Sequence, residues 1–247
     1  MKVVIHPTYQ FASEFISHIP ITFSTEGETI YDGRNIVKCF HTPYGDWIVK
    51  QYKKPNLIQQ LAYTFWRKSK AERAFLYADK LLLAGIDTPQ GISYIETKKK
   101  GLLYSGYFIS TICKFPPLYQ PLVETTDFNK ELAAALAAFF VEMHSKGFLH
   151  GDPNLENLLY HIDAQGRFQF SVIDTNRSIF KSLPTKRECL ENLKRITHRR
   201  DLLEFITREY ATLRQWEISS SIQYVMNALN KFEKKRKIKR LFKFTLS

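Results

Sequence analysis

The sequence predicts an α+β fold in two lobes: an antiparallel β-rich N-terminal lobe over residues 1–113 and a mainly helical C-terminal lobe over 114–247. Three observations predict it. Runs of β-type residues broken by Gly, Asn and Asp turns crowd the first half. The prolines of Lys114-Phe115-Pro116-Pro117 neither extend a sheet nor sit inside a helix, so they mark a connector. Beyond Pro184 the pattern is helical throughout.

The elements follow in order. Ile30–Tyr31 and Ile36–Phe40 flank the turn Asp32-Gly33-Arg34-Asn35, and Trp47–Tyr52 follows Pro43-Tyr44-Gly45-Asp46, which reads as an antiparallel meander. From Ser69 to Ala84 the apolar positions Ala71, Phe75, Ala78, Leu81 and Leu82 have helical spacing, and Gly85 and Pro89 are stop signals. Gly91–Glu96 and Leu102–Thr111 read as strands around the basic turn Lys98-Lys99-Lys100-Gly101. Phe128–Lys146 reads as a strong helix with the stripe Leu132, Leu136, Phe139, Phe140 and Met143. Thr126 or Asp127 is its expected cap, and Gly147 its end. A hairpin then runs through Leu158–Ile162, Asp163-Ala164-Gln165-Gly166 and Phe168–Asp174.

Composition narrows the class. Hydrophobic residues make up 44% of 247, enough for a core and against global disorder. The apolar run Leu132–Val141, bounded by Glu131 and Glu142, is too short to span a bilayer. The first residues contain no long apolar segment of the secretory type. Three scattered cysteines, Cys39, Cys113 and Cys189, favour a reducing compartment over a disulfide frame or zinc site. The 36 Lys and Arg against 24 Asp and Glu leave a formal charge of +12, which favours a polyanionic partner without choosing among nucleic acid, membrane and phosphorylated substrate.

The chemistry is concentrated in His150-Gly151-Asp152-Pro153-Asn154-Leu155-Glu156-Asn157, an H-x-D-x-x-x-x-N pattern on a loop between helix and hairpin. In phosphoryl transfer such an Asp orients the acceptor hydroxyl and takes its proton, and such an Asn binds Mg²⁺ through its amide oxygen. The strand Val172-Ile173-Asp174 delivers a second carboxylate suited to the metal. Asp152 is therefore the expected base, and Asn157 and Asp174 the expected metal ligands. The competing reading is that Asp152 and Asn157 only cap turns. Lys50, closing Trp47-Ile48-Val49-Lys50, is the expected phosphate-holding lysine, and Glu72 on the next helix its expected ion-pair partner, with Glu96 the fallback. Gly33 is the candidate for a phosphate-covering loop, although one glycine also suits an ordinary hairpin turn.

From Lys50 through Asp174 the chain resembles the bacterial lipopolysaccharide core kinases of the Kdo kinase and heptose kinase type, within the protein-kinase-like superfamily. The resemblance lies in Trp47-Ile48-Val49-Lys50, Ser69-Lys70-Ala71-Glu72-Arg73-Ala74-Phe75 with Leu82, Gly85, Ile86, Thr88 and Pro89, Met143 through Asp152, and Val172-Ile173-Asp174. It implies a two-lobed protein-kinase-like fold and transfer of the ATP γ-phosphate, with Mg²⁺, to a sugar hydroxyl of Kdo–lipid A type. It places the enzyme in the cytoplasm, peripheral on the inner face of the inner membrane. Asp174 is followed by Thr175-Asn176 rather than Phe-Gly, and neither A-P-E nor a long activation loop follows, which speaks against a regulated protein kinase. Asn154 stands where protein kinases often carry a Lys, and Arg177 is the candidate to replace its charge.

Two segments point to an anionic membrane surface as a partner. Lys53–Lys68 mixes apolar and aromatic residues with flanking cations, and Lys231–Lys243 holds eight Lys or Arg against one Glu. A buried helix and a solvated tail are the plainer alternatives. Three functional readings stand: a lipopolysaccharide-sugar kinase; an atypical protein or small-molecule (antibiotic) kinase with the same site; and a non-catalytic pseudokinase or RNA-binding module. No specific nucleic acid is expected, and the sequence leaves the oligomeric state open.

Overall fold

The computed structural model describes residues 1–244, with side chains through residue 239. The chain from Arg240 on, including Leu241, Phe242 and Lys243 of the basic run, lies outside the described side chains. Two compact units form. The first comprises Met1–Lys114 with Asp174–Arg177, the second Phe115–Ile173 with the chain from Ser178 on.

Alternating side chains build the first unit around one sheet. Its elements are β1 (Lys2–Ile5), a 3₁₀ helix (Pro7–Ala12), α1 (Ser13–Thr22), β2 (Glu28–Asp32), β3 (Ile36–Thr42), β4 (Gly45–Tyr52), α2 (Leu57–Phe65), α3 (Lys70–Leu83), β5 (Gly91–Lys99) and β6 (Leu102–Thr111). The strands lie in the order β1-β5-β6-β4-β3-β2, every neighbour antiparallel. One face packs on α1: Ile16, Ile19 and Phe23 meet Phe40, Trp47, Val49, Ile95, Tyr107 and Ile109. The other face packs on α3, where Ala71, Ala74 and Phe75 meet Tyr52 and Tyr94. The period of two along β4 therefore sends Trp47 and Val49 to the α1 face, and Lys50 with Tyr52 to the α3 face.

The sequence reading finds β2 through β6 and α3 but not β1 or α1. A four-residue edge strand and a helix containing Pro20 carry weak local signals. The segment at 57–65 is helical but not buried, for none of its residues reaches the core.

The second unit contains α4 (Tyr119–Val123), α5 (Lys130–Ser145), β7 (Phe148–Leu149), β8 (Leu158–Ile162), β9 (Phe168–Val172), β10 (Ile179–Phe180), α6 (Lys186–Leu193), α7 (Arg200–Leu213) and α8 (Ile218–Phe244). Asp174–Arg177, with a 3₁₀ turn at Thr175–Arg177, belongs to the first unit and lies in the chain between β9 and β10. The expected α5 stripe is the core: Leu132, Leu136, Phe139, Phe140 and Met143 are all buried. The helix starts later than expected, capped by the Asn129 side chain on Leu132 N rather than by Thr126 or Asp127. Phe128 stacks edge-on against Phe205 instead of entering the helix. The connector is engaged by β8: Tyr160 N donates to Pro116 O, and Leu118 N to Leu158 O. Thr185 and Glu188 close a reciprocal capping box on α6. No helix among the described residues is long and apolar enough to cross a membrane.

Gly147 ends α5 and feeds β7, which pairs with β10. Its φ is +77°, and an added Cβ would fall 1.8 Å from the Lys181 carbonyl oxygen. Gly166 in the β8–β9 turn has the same φ of +77° with open space around it. In urea unfolding, Gly147→Ala is expected to lose on the order of 3 kcal/mol or more, and Gly166→Ala about 1 kcal/mol. Equal losses would show that the close approach to Lys181 does not matter.

Candidate active site

In the first unit the site is built on β4. Lys50 Nζ lies 2.7 Å from Asp174 Oδ1, both side chains partly buried, and 5.5 Å from the centre of the Tyr52 ring. Asp174 adopts φ +56°, a left-handed conformation that Asp tolerates because its carboxylate bonds locally. Here the Asn176 amide donates to Oδ1. Both contacts fall on Oδ1. Two buried polar atoms of the same unit, Tyr52 Oη and Asn176 Oδ1, have no hydrogen-bond partner among the described residues. Burial pushes the Tyr52 hydroxyl well up, and the Asp174 charge adds to it.

Cations crowd this carboxylate. Burial holds the Lys70 ammonium below its ordinary pKa, and the charges of Arg34, Arg177 and Arg73 press it further, with Asp174 opposing. One carboxylate among these positive groups leaves a local excess of positive charge.

The second unit carries the loop after β7. Asp152 N donates to His150 Nδ1 at 3.0 Å, so the accepting Nδ1 leaves His150 Nε2 to donate to the Ile173 carbonyl at 2.9 Å. His150 is thus a neutral structural clasp with both ring nitrogens used. Asn157 Nδ2 donates to the Asp152 carbonyl at 3.0 Å. That bond fixes the amide and turns Asn157 Oδ1 away as an oxygen donor for a cation. Asn154 makes an Asx turn, its Oδ1 accepting from Glu156 N at 3.0 Å.

Two supports of this loop escape sequence reasoning. Arg195 Nη1 donates to Gly151 O at 2.7 Å, and Nη2 to Asp152 Oδ1 at 3.1 Å, so one guanidinium grips both backbone and carboxylate. Beneath it runs a buried chain. Asn192 Nδ2 donates to His150 O at 2.7 Å, His144 Nε2 donates to Asn192 Oδ1 at 3.1 Å, and the Tyr210 hydroxyl donates to His144 Nδ1 at 2.9 Å. The Cys189 thiol hydrogen-bonds Tyr210 in turn. The signals for these residues in the sequence are only a His at the end of a helix and polar residues in apolar helices.

The structure brings Lys50 to Asp174 and Asp152 to Asn157. It does not form the expected ion pair between Lys50 and Glu72. Glu72 occupies the first turn of α3, its backbone N–H capped by Ser69 Oγ, and its charge acts on Lys2 and Tyr94. Glu96, the fallback, is buried on β5 opposite Lys2 and acts on the same pair. Gly33 lies in the β2–β3 turn, where an added Cβ would come within 2.4 Å of the Tyr31 hydroxyl, the far end of an exposed side chain that can swing away.

The two-lobed α+β fold, the catalytic-type loop and the lysine–aspartate pair define a kinase of the protein-kinase-like class. Residues 24–217 match the model of the lipopolysaccharide kinase (Kdo/WaaP) family, and the chain belongs to that family. A structure of WaaP in complex with acyl carrier protein is similar over 95% of this chain and 98% of that one, with TM-score 0.61 and 17% identity, a likeness of fold. A co-crystal structure of WbdD with the kinase inhibitor LY294002 aligns over 83% of this chain and 46% of that one, with TM-score 0.45 and 15% identity. No curated protein sequence matches the chain.

Burial lowers the His144 pKa to about 4. An unfolded chain takes up a proton at this residue near pH 6.5, while the folded chain refuses it until about pH 4. Stability is therefore expected to fall as pH drops through that window, by about 2 kcal/mol from this residue at pH 5. Urea unfolding at pH 7 and pH 5 should show wild type losing more than His144→Gln; equal losses would mean that His144 is not the linked group.

Proposed function

We propose that this kinase transfers the γ-phosphate of ATP to a hydroxyl of a Kdo or heptose residue on a lipid-linked inner-core acceptor, working in the cytoplasm against the inner membrane. The observation that carries the phosphoryl-transfer reading is the cation cluster around Asp174, joined with the family match. Lys50, Lys70, Arg34 and Arg177 hold the phosphate oxygens, Lys50 exchanging Asp174 for them when nucleotide binds. Asn157 Oδ1 and the Asp174 carboxylate would each offer Mg²⁺ a hard oxygen ligand of the kind it takes. The chemistry that Mg²⁺ would supply, held by such oxygens, is neutralisation of charge on the transferred phosphoryl group.

Asp152 is the base. Arg195 engages Oδ1 and orients the carboxylate, which receives the acceptor proton. The acceptor oxygen forms a bond to the γ-phosphorus, the bond from that phosphorus to the bridging oxygen breaks, ADP leaves, and the proton goes to Asp152. His150 moves no proton, because its ring is committed to Asp152 N and Ile173 O.

Phosphate transfer from labelled ATP to detergent-dispersed Kdo–lipid A tests the reading. Wild type should label the sugar and Asp152→Ala should lose at least about 10³-fold in rate, as expected when base and charge are removed together. Nucleotide hydrolysis without transfer would discard the acceptor, and absence of Mg-ATP binding would discard the mechanism.

Arg195→Met should lower kcat about 10- to 100-fold with little change in the KM for ATP, and Arg195→Lys should restore part of it. A change confined to KM would assign Arg195 to nucleotide binding instead.

A further inference from the structure

The helix α2 is built inside out. At 100° per residue, Leu57, Ile58, Leu61 and Phe65 fall within an arc of roughly 100°. That arc faces solvent: their exposures are 64%, 78%, 38% and 62%, and Trp66, just beyond the helix, is 81% exposed. On the other side Thr64 joins the helix to β6, and Gln60 bonds within its own segment. Thr64 Oγ1 accepts from Leu103 N at 3.0 Å and donates to Gln60 O at 2.6 Å, and Gln60 Nε2 donates to Pro55 O at 2.9 Å. An ordinary surface helix turns its apolar stripe inward. A contiguous exposed apolar ridge of this kind marks an interaction site.

Cations surround the ridge. Residues 53–70 hold five Lys or Arg and no Asp or Glu. The β5–β6 turn, Lys98-Lys99-Lys100-Gly101, adds three more lysines beside α2, since Leu103 bonds Thr64, and Lys54 and Lys99 both lie over the Tyr104 ring at 4.7 and 5.6 Å. No ion pair among the described residues engages Lys53, Lys54, Arg67, Lys68 or these turn lysines.

We propose that α2 and the β5–β6 turn are the surface by which this protein lies on an anionic phospholipid bilayer. The apolar ridge enters the interface, Phe65 and Trp66 sit at headgroup level, and the cations meet the anionic headgroups. A second copy of the chain is disfavoured as occupant, because it would bring the same cations face to face. Nucleic acid would use the charge and leave the aliphatic ridge in water. The proposal deepens the peripheral location proposed above, and its test contains neither nucleotide nor sugar, so the two fail independently.

The test mixes full-length protein with vesicles of phosphatidylglycerol and phosphatidylcholine and follows tryptophan emission and co-sedimentation. Wild type should bind with a blue shift, for Trp66 moves from water into the interface while Trp47 is already buried and Trp216 is half-buried against Tyr210. Trp66→Phe should lose the shift and still sediment. Ile58→Ser with Phe65→Ser should weaken partitioning about tenfold or more, and Lys98→Gln with Lys99→Gln about fivefold per cation at low salt. These side chains are exposed, so unchanged melting temperatures confirm folded variants. Absence of binding would overturn the proposal. So would binding that survives the α2 substitutions, equal binding to pure phosphatidylcholine, or an α2-dependent dimer that ignores vesicles.

Discussion

The Asn192 amide is the point on which the His150–Asn157 loop depends. Both of its ends are used inside the second unit: the amide N–H on the His150 carbonyl, the oxygen on the His144 ring. A buried amide has no water to fall back on, so each lost partner would leave an uncompensated polar atom. The chain from Cys189 and Tyr210 through His144 to Asn192 therefore ties α5, α6 and α7 to the backbone at His150. His150 clasps the Asp152 N–H, and Arg195 grips the Asp152 carboxylate. Precision at Asp152 is inherited from a neutral, desolvated histidine two layers below.

The first unit uses the opposite physics. Around Asp174 charges are gathered rather than neutralised, and the left-handed backbone there is held by a bond from Asn176. Lys70 in this cluster is partly desolvated, and its ammonium is held below its ordinary pKa by burial and by the neighbouring arginines. A kinase without a glycine-rich phosphate loop can hold phosphate by cations where other members of the class use backbone amides.

The exposed face of α2 adds a third constraint. A helix joined to β6 by a Thr64 hydrogen bond, with no residue fully buried, gains little from apolar burial. Its apolar ridge is thus left for another partner, and the surrounding lysines select the sign of that partner's charge.

The sequence by itself determined the two-lobed class, strands β2 through β6, α3, α5 and its buried stripe, and the order of Lys50, Asp152, Asn157 and Asp174 along the chain. These are local or short-range properties: hydrophobic period, turn residues, and chemistry-bearing residues within one loop or strand end. It also determined the family, which the match over residues 24–217 bears out. Tertiary structure alone decided who meets whom. Glu72, expected beside Lys50, sits in the first turn of α3 and directs its charge toward Lys2 and Tyr94, while Asp174, more than a hundred residues from Lys50, takes its place. Arg195, Asn192 and His144 gain their meaning from partners more than forty residues away. Whether α2 faces inward or outward followed from which of its faces found hydrogen bonds on β6. Long-range pairing of this kind leaves no periodic trace in a single sequence, because any charged or amide side chain can serve until the packing around it removes the alternatives.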